Sequence, residues 1–390
     1  MTRVAAALSL HASPAAAGYE AALRAREELG DASIDLACVF ATHEHLPAAS
    51  EVANAVRELL APRHLLGCVA QGVVAGEREV EEGPAVSVWA ASLPGAAITP
   101  FHLDAELLDG DGDGRALPAF DDAAIVLLLV DPFTFPADRL LRTANERYPG
   151  LPLVGGIALG GTGPGLQALV VDDQVYSEGA VGVTIGGVPV QAVVSQGCAP
   201  LGRESVITGA DENVVLELAG RPALERLRET LAGLSERERG LATGGLLAGI
   251  VIDENKPAYA RGDFLMRSIL GADESSGAIA IGERVRVGQT LRFHARDAVS
   301  ADGDLSETLA EALARAAAVP AGALVFTCNG RGAGMFGVPD HDASAIASAL
   351  DSRAVGGLFC GGEIGPVGGR SFVHGFTATL ALFFEGEPQR

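Results

Sequence analysis

Three stretches of the chain carry one pattern: LLGCVAQG at 65–72, LVGGIALG at 153–160 and AVGGLFCG at 354–361. Aligned, Gly67, Gly155 and Gly356 coincide, as do Gly72, Gly160 and Gly361. Each stretch is a short apolar run without alternation, the pattern of a strand covered on both faces. An amphipathic run with helical spacing precedes each one, and before that comes another apolar strand. The copies lie much further apart than the repeats of a solenoid, so the pattern predicts duplication of a sheet unit rather than a stacked array.

In the first unit, strands are expected at 34–40 and 65–70, a helix from Ser50 with Val52, Val56 and Leu59 on one face, and a return strand at 84–93. A strand and a helix at 15–29 precede it. The second unit places strands at 124–130, 153–158 and 180–185 around a helix from Pro136 with Leu140, Leu141 and Ala144 inward. In the third, strands at 323–327 and 355–359 flank a helix capped by Asp340 or Asp342, with Ala343, Ile346, Ala347 and Leu350 recurring at helical spacing. A fourth, altered unit is expected from Asn213, through a helix opened by Pro222 with Leu224, Leu227 and Leu231, to strands at 246–252, 264–270, 277–281 and 290–295. The fold class is therefore α/β, or α+β, with two related modules built from repeated β-α-β-β units with mixed sheets, divided as 1–205 and 206–390.

With 28 Lys and Arg against 50 Asp and Glu, the formal charge of −22 weighs against nucleic acid and anionic lipid as partners. No apolar run reaches the ~20 residues of a membrane helix. The amino terminus, MTRVAAALSLHASPAAA, has some features of a secretory signal, but its apolar run is short and ends at His11, so it reads as a first strand. Cys38, Cys68, Cys198, Cys328 and Cys360 form no CxxC pair, which fits reduced thiols in a cytoplasmic protein without a structural metal. No cofactor is expected.

The third unit concentrates the chemistry. Gly330, Gly332 and Gly334 follow a strand and precede a helix, where backbone N–H groups cradle an anion and Arg331 offers a bidentate fork. The spacing is neither GxGxxG nor a P-loop, and the same glycines also suit a loop that needs only their backbone freedom. Glu363, in the next glycine-rich loop, suits a cation, and with Arg331 it suits a zwitterion. The other reading is an ion pair of Glu363 with Arg331 or Arg370 that holds two loops together. Cys328 and Cys360 with His341 and His374 leave a thiol–imidazole nucleophile open, although buried inert cysteine is the commoner case. As metal ligands, Cys360, His374, His341 and Asp342 match no standard spacing.

Three further motifs carry less. DGDGDG at 109–114 begins like a calcium loop, with Asp109, Asp111, Asp113 and Gly114 in place, but its twelfth position is Phe120. GGTGPG at 160–165 leads into a strand rather than the helix of a dinucleotide site. His43 and His45, beside Glu44, read as exposed loop residues.

GCVAQG with the following EGPAVSVWAASLPG, VGGIALGG, and above all CNGRG, PDHDA and FCGGEIGPVGGRSFVHGFTA resemble the FIST family, with its amino- and carboxy-terminal domains, over roughly residues 30 to 375. The resemblance implies a stand-alone, bacterial-type sensory or signal-transduction protein that binds amino acids or similar small polar metabolites. Family members also occur joined to signal-transduction domains, or beside an F-box in eukaryotes. No stretch is left here for such a domain, so output is expected through a separate signalling partner. The ligand-binding positions expected are Cys328, Asn329, Gly330, Arg331, Gly332, His341, Asp342, Cys360, Gly361, Gly362, Glu363 and His374, with no catalytic or metal-ligating residue assigned. Two alternatives stand beside it: a hydrolase or transferase using Cys328 or Cys360, and a scaffold whose glycine-rich loops recognise a protein.

Overall fold

A computed structural model describes residues 1–108, 117–260 and 262–386. The acidic run at 109–114 lies outside the described residues. The chain forms two compact units, one of residues 1–194, 305–373 and 377 onward, the other of 195–304 with 374–376.

Two repeats and the start of a third come first. The first repeat is β1 (Arg3–Ser9), α1 (Pro14–Leu29), β2 (Leu36–Thr42), α2 (Ala49–Leu60), β3 (His64–Ala70), a hairpin of β4 (Val73–Ala75) and β5 (Arg78–Val80), and β6 (Val86–Ser92). The second is β7 (Ala97–Leu103), β8 (Ile125–Val130), α3 (Ala137–Arg147), β9 (Leu153–Ile157), a hairpin of β10 (Leu169–Val171) and β11 (Gln174–Tyr176), and β12 (Ala180–Gly186). The third opens with β13 (Val190–Gln196).

Most of the second unit then follows, as β14 (Cys198–Asp211), β15 (Val214–Leu218), β16 (Arg221–Pro222), α4 (Ala223–Ala232), α5 (Glu236–Thr243), β17 (Leu246–Val251), β18 (Phe264–Asp273), β19 (Ala278–Ile281) and β20 (Thr290–Arg296). The third repeat resumes with α6 (Ala298–Arg315), β21 (Pro320–Cys328), the one-turn α7 (Ala333–Phe336), α8 (His341–Leu350), β22 (Val355–Cys360), a hairpin of β23 (Glu363–Val367) and β24 (Arg370–His374), and β25 (Thr377–Phe384). Among the described residues, no helix is long and apolar enough to cross a membrane.

Each repeat thus has a fuller form than β-α-β-β. A strand opens it, and a hairpin interrupts the return to its last strand. The first unit holds three six-stranded sheets, in the orders β1-β6-β2-β3-β10-β11, β7-β12-β8-β9-β23-β24 and β13-β25-β21-β22-β4-β5. Every hairpin leaves its own repeat and extends the sheet of another. The pairs β2/β3, β8/β9 and β21/β22 are parallel and need a helical crossover, while the strand and hairpin pairings around them are antiparallel, which makes each sheet mixed.

One apolar cluster joins the three sheets, with Phe40, Trp89, Leu127, Val183, Phe326 and Phe383 all buried. Trp89 packs on Phe383 at 5.0 Å and Phe40 on Phe326 at 6.5 Å between ring centroids. Residues that alternate with these belong to three outer clusters, which hold the helices: Val52, Val56 and Leu60 of α2 on the first sheet, Leu140, Leu141 and Ala144 of α3 on the second, and Leu305, Leu309, Ile346 and Leu350 of α6 and α8 on the third. Covering on both faces is why the strands read as unbroken apolar runs.

The repeat glycines mark the tightest approach. A Cβ on Gly67, Gly155 or Gly357 would lie 2.1, 1.8 or 1.8 Å from the carbonyl oxygen of Val39, Leu128 or Val325, the residue paired with it on the parallel neighbour. The same three glycines face Val170, Ile364 and Val74 of the incoming hairpins. Gly357, and not Gly356, is therefore the counterpart of Gly67 and Gly155, and the sequence alignment of the third repeat is one residue out of register. Gly356 instead makes room for Trp89, whose Cβ would lie 2.7 Å from an added Cβ. In the same way the carbonyls of Gly72, Ala168 and Gly362 accept from Phe359, Val69 and Ile157, so these three correspond rather than Gly72, Gly160 and Gly361.

In the second unit the strands and α4 stand where the sequence places them, but they are not a fourth copy. Among the described residues its sheet, β14-β20-β17-β18-β19-β15-β16, pairs antiparallel between all neighbours and contains no helical crossover between parallel strands. The sequence division at 205/206 falls inside β14.

Gly357→Ala is expected to lower stability by about 3 kcal/mol or more, because a backbone carbonyl cannot yield as a side chain does. Gly334→Ala, where nothing lies within 4 Å of the added carbon, is the control. Urea unfolding followed by far-UV circular dichroism compares the two.

Candidate functional site

The neighbouring strands β21 and β22 end in register at Cys328 and Cys360. Beyond them the chain turns back on itself: Asn329 N donates to Cys360 O at 2.9 Å and Arg331 N to Cys328 O at 2.8 Å. This turn buries Arg331 completely. Its Nε and Nη2 donate to the two oxygens of Asp342 at 2.7 and 2.9 Å, a bidentate pair. Thr327 Oγ1 donates to Asp342 Oδ2 at 2.8 Å, and His341 Nδ1 lies 3.0 Å from Oδ1. Burial works against the Asp342 charge, but Arg331 and these hydrogen bonds outweigh it and hold the carboxyl well below its usual range. The ion pair of Arg331 is thus with Asp342, not with Glu363 or through Arg370. Phe336 of α7 stacks on His341 at 3.5 Å, and the Arg331 guanidinium carbon stands 5.3 Å from the same ring.

Glu363 opens β23 and is also fully buried. Its Oε2 accepts from Thr377 N at 3.1 Å and from Thr377 Oγ1 at 2.8 Å. Burial pushes this carboxyl up, against the opposing pull of Thr377, Arg331 and Cys328. Three buried polar atoms of the cluster have no hydrogen-bond partner: Arg331 Nη1, Glu363 Oε1 and Asn329 Oδ1. Gly361 N donates to Ile157 O and Gly362 O accepts from Ile157 N, which fixes the loop before Glu363 on the neighbouring sheet. The Cys360 thiol occupies the space left by Gly156, where an added Cβ would come 2.1 Å from the sulfur. Burial, with Glu363 next, pushes that thiol far up, the opposite of what a nucleophile needs.

The hairpin β4–β5 adds residues that the sequence reading passed over. Glu79 Oε1 accepts from Ala343 N at 2.9 Å, and Glu81 Oε1 from Ala333 N at 2.8 Å, so carboxylates of the first repeat cap both α8 and α7. The expected cap by Asp340 or Asp342 is absent. Asp340 is left-handed at φ 63° and accepts from Glu79 N instead, while Asp342 is committed to Arg331. Gly332 lies against Glu81, whose carboxylate an added Cβ would meet at 2.0 Å. The visible signal was the alternation Glu77, Glu79, Glu81, which puts these side chains on one side of a short strand.

Of the expected positions, residues 328–332, 341–342 and 360–363 lie in the first unit, and His374 belongs to the second. His45 is not an exposed loop residue: it is 1% exposed, in a short 3-10 turn (His43–Ala48). Among the described residues, no group of three or more His, Cys, Asp or Glu could hold a metal ion.

Two outcomes follow. Arg331→Met leaves the Asp342 charge buried and uncompensated, and is expected to cost about 3–5 kcal/mol in urea unfolding, much of it recovered in Arg331→Met/Asp342→Leu. Burial, then Asp342, Glu81 and Asp340, push the Glu79 carboxyl from 4.5 up to about 7. Between those values the native state keeps a proton that the unfolded chain has released, so this group's stabilisation is fullest at the acid end and falls as pH rises through the window, by about 3 kcal/mol in all. Stability measured from pH 4.5 to 7.5 should lose that component of its slope in Glu79→Gln.

The FIST N domain matches residues 35–221 and the FIST C domain residues 223–366. The uncharacterised proteins Mb0898c of Mycobacterium bovis and Rv0628c of Mycobacterium tuberculosis are each 46% identical over 373 residues, covering 95% of this chain and 95% and 96% of their own. Two solved structures of cyanuric acid hydrolase, one of them from A. caulinodans, align over 99% and 98% of this chain and all of their own, at 12% and 11% identity. Their TM-scores of 0.29 and 0.31 are too low to transfer fold or activity. FIST domains are described as sensory, ligand-binding domains of signalling systems. With both domain types matched in order across most of its length, and with relatives nearly half identical from end to end, the chain belongs to the FIST family.

Proposed function

We propose that this protein is a cytoplasmic sensor of a small polar metabolite bearing both a carboxylate and an ammonium group, as amino acids do, and that the ligand binds in the polar cluster at the ends of β21 and β22. The observation that carries the reading is a fully buried guanidinium and a fully buried carboxyl that each keep one unused atom, Arg331 Nη1 and Glu363 Oε1. Leaving such atoms unpartnered costs about 1–3 kcal/mol each, and a zwitterion meets both needs, its carboxylate on the guanidinium and its ammonium on the carboxyl. Asn329 Oδ1 offers a further acceptor.

Since Arg331 and Glu363 are both 0% exposed, ligand entry requires the segment 329–340 to lift. Gly330, Gly332, Gly334 and Gly337 give it the backbone freedom, with Gly337 left-handed at φ 73°. Lifting would break the bonds from Ala333 N to Glu81 and from Glu79 N to Asp340, and so couple occupancy to the hairpin β4–β5. A separate signalling protein that reads this hairpin would supply the output.

The test is thermal unfolding of the full chain against the amino acids, small dicarboxylates and nucleotides. A ligand that binds only the folded state adds RT ln(1 + [L]/Kd), about 2.7 kcal/mol at a hundredfold excess over Kd. A dose-dependent rise in melting temperature with an amino acid, lost in Glu363→Gln and in Arg331→Lys, is the expected outcome. No shift with any of these compounds would reject the reading. Co-purification of a protein without a metabolite would favour a scaffold, and fast alkylation of Cys328 or Cys360 near neutral pH would favour a thiol enzyme.

A further inference from the structure

The second unit contains a cavity of its own. Its sheet has one face packed on α4 and α5, through Leu291, Phe293 and Ala295 of β20 and Ala248 and Ile250 of β17. By strand alternation, Arg292 and His294 project to the other side. A small cluster around Leu247, Val251, Phe264 and Met266 lies among the buried residues of this unit outside the α4–α5 core. A cavity of about 240 Å³ opens beside it, lined by Gln196, Tyr259, Phe264, Met266, Arg292 and His294 among others. Phe264 stands at 5.1 Å and 59° from the His294 ring, and Tyr259 at 5.9 Å and 70° from Phe264, so flat rings form its walls. Gly249 gives the imidazole its place, since an added Cβ would come 2.6 Å from His294 Cε1.

Two polar atoms of this cavity are set as acceptors, Gln196 Oε1 and His294 Nε2. Gln196 is 2% exposed; its Nε2 donates to Phe264 O at 2.9 Å, which fixes the amide orientation and leaves Oε1 without a partner. His294 Nδ1 lies 3.0 Å from Arg292 O, an acceptor, so the ring proton sits on Nδ1 and Nε2 is an acceptor too. Burial holds this imidazole neutral, at about 4. Among the described residues of the lining, the one permanent charge is Arg292, whose Nε is already engaged with Gly202 O at 3.0 Å.

The geometry points to a second ligand site, distinct from the charged cluster of the first unit, that takes a planar, uncharged heterocycle of nucleobase size carrying N–H donors. The rings of Phe264, Tyr259 and His294 pack on its faces, and Gln196 Oε1 accepts from its edge. A cavity lined only by apolar groups would take benzene or toluene; the orphaned amide oxygen, buried and costly when unpaired, is what asks for a donor.

The experiment is isothermal titration of the full chain with adenine, cytosine and uracil, with toluene as the apolar comparison. One base per chain is expected to bind, more tightly than toluene. Gln196→Leu, near-constant in volume, should weaken that base about tenfold or more, since a donor would then be buried unpaired. Ala260→Trp, at an exposed position on the rim, should block it without lowering the melting temperature, which covers the case in which Gln196→Leu does not fold. Glu363→Gln should leave it unchanged. No binding of any base at millimolar concentration, tighter binding of toluene, equal binding to Ala260→Trp, or loss of binding in Glu363→Gln would each overturn the assignment.

Discussion

The pairing of each hairpin with a sheet of another repeat is the constraint on which the first unit rests. β4–β5 extends the third sheet, β10–β11 the first and β23–β24 the second, so the exchange closes a cycle in which no repeat completes its own sheet. An open strand edge is a row of unpaired N–H and C=O groups, and here each such edge on β3, β9 and β22 is covered by a different repeat. The shared cluster around Phe40, Trp89, Phe326 and Phe383 can form only when all three sheets are present. One repeat alone would expose one strand edge and half of a core.

The same exchange builds the polar cluster. Without β4–β5 in the third sheet, Glu79 and Glu81 would not reach the N-termini of α8 and α7, and Asp340 would lose its bond from Glu79 N. Several carboxylates then crowd one buried arginine, and their charges sort by partner. Asp342 has Arg331, Thr327 and His341 and stays ionised, whereas Glu79, with a single backbone donor, drifts toward neutrality. Backbone approach sets the rest of the geometry: Gly332 admits Glu81, and Gly156 admits Cys360.

Reading these features from sequence succeeded where the cause is local. Apolar runs such as IVLLLV of β8 and the spacing of Val52, Val56 and Leu60 in α2 report directly on strands and helices buried on known faces. Reading failed where two distant segments decide. The register of the third repeat was set one residue off because Gly356 and Gly357 are adjacent, and only the close approach to Val325 O tells them apart. The helix cap on α8 went to Asp340 or Asp342 in the sequence reading because a cap 264 residues away leaves no local trace. A fourth repeat was read into 213–295 because its strands and one helix have the right lengths, although their pairing is antiparallel.

By itself, then, the sequence determined the long apolar strands and the helices α1, α2, α3, α4 and α8, the likeness of the three strand–helix–strand segments, and the FIST membership, since all three are written in patterns of a few to a few tens of residues. Only the tertiary structure decided which sheet each hairpin joins, that Arg331 answers to Asp342 rather than Glu363, and that the segment between β13 and α6 forms most of a separate unit with its own cavity. Those outcomes depend on hydrogen-bonding edges, charges and volumes meeting across long chain separations. Local propensity carries no information about which of several equivalent edges or acids will be the partner.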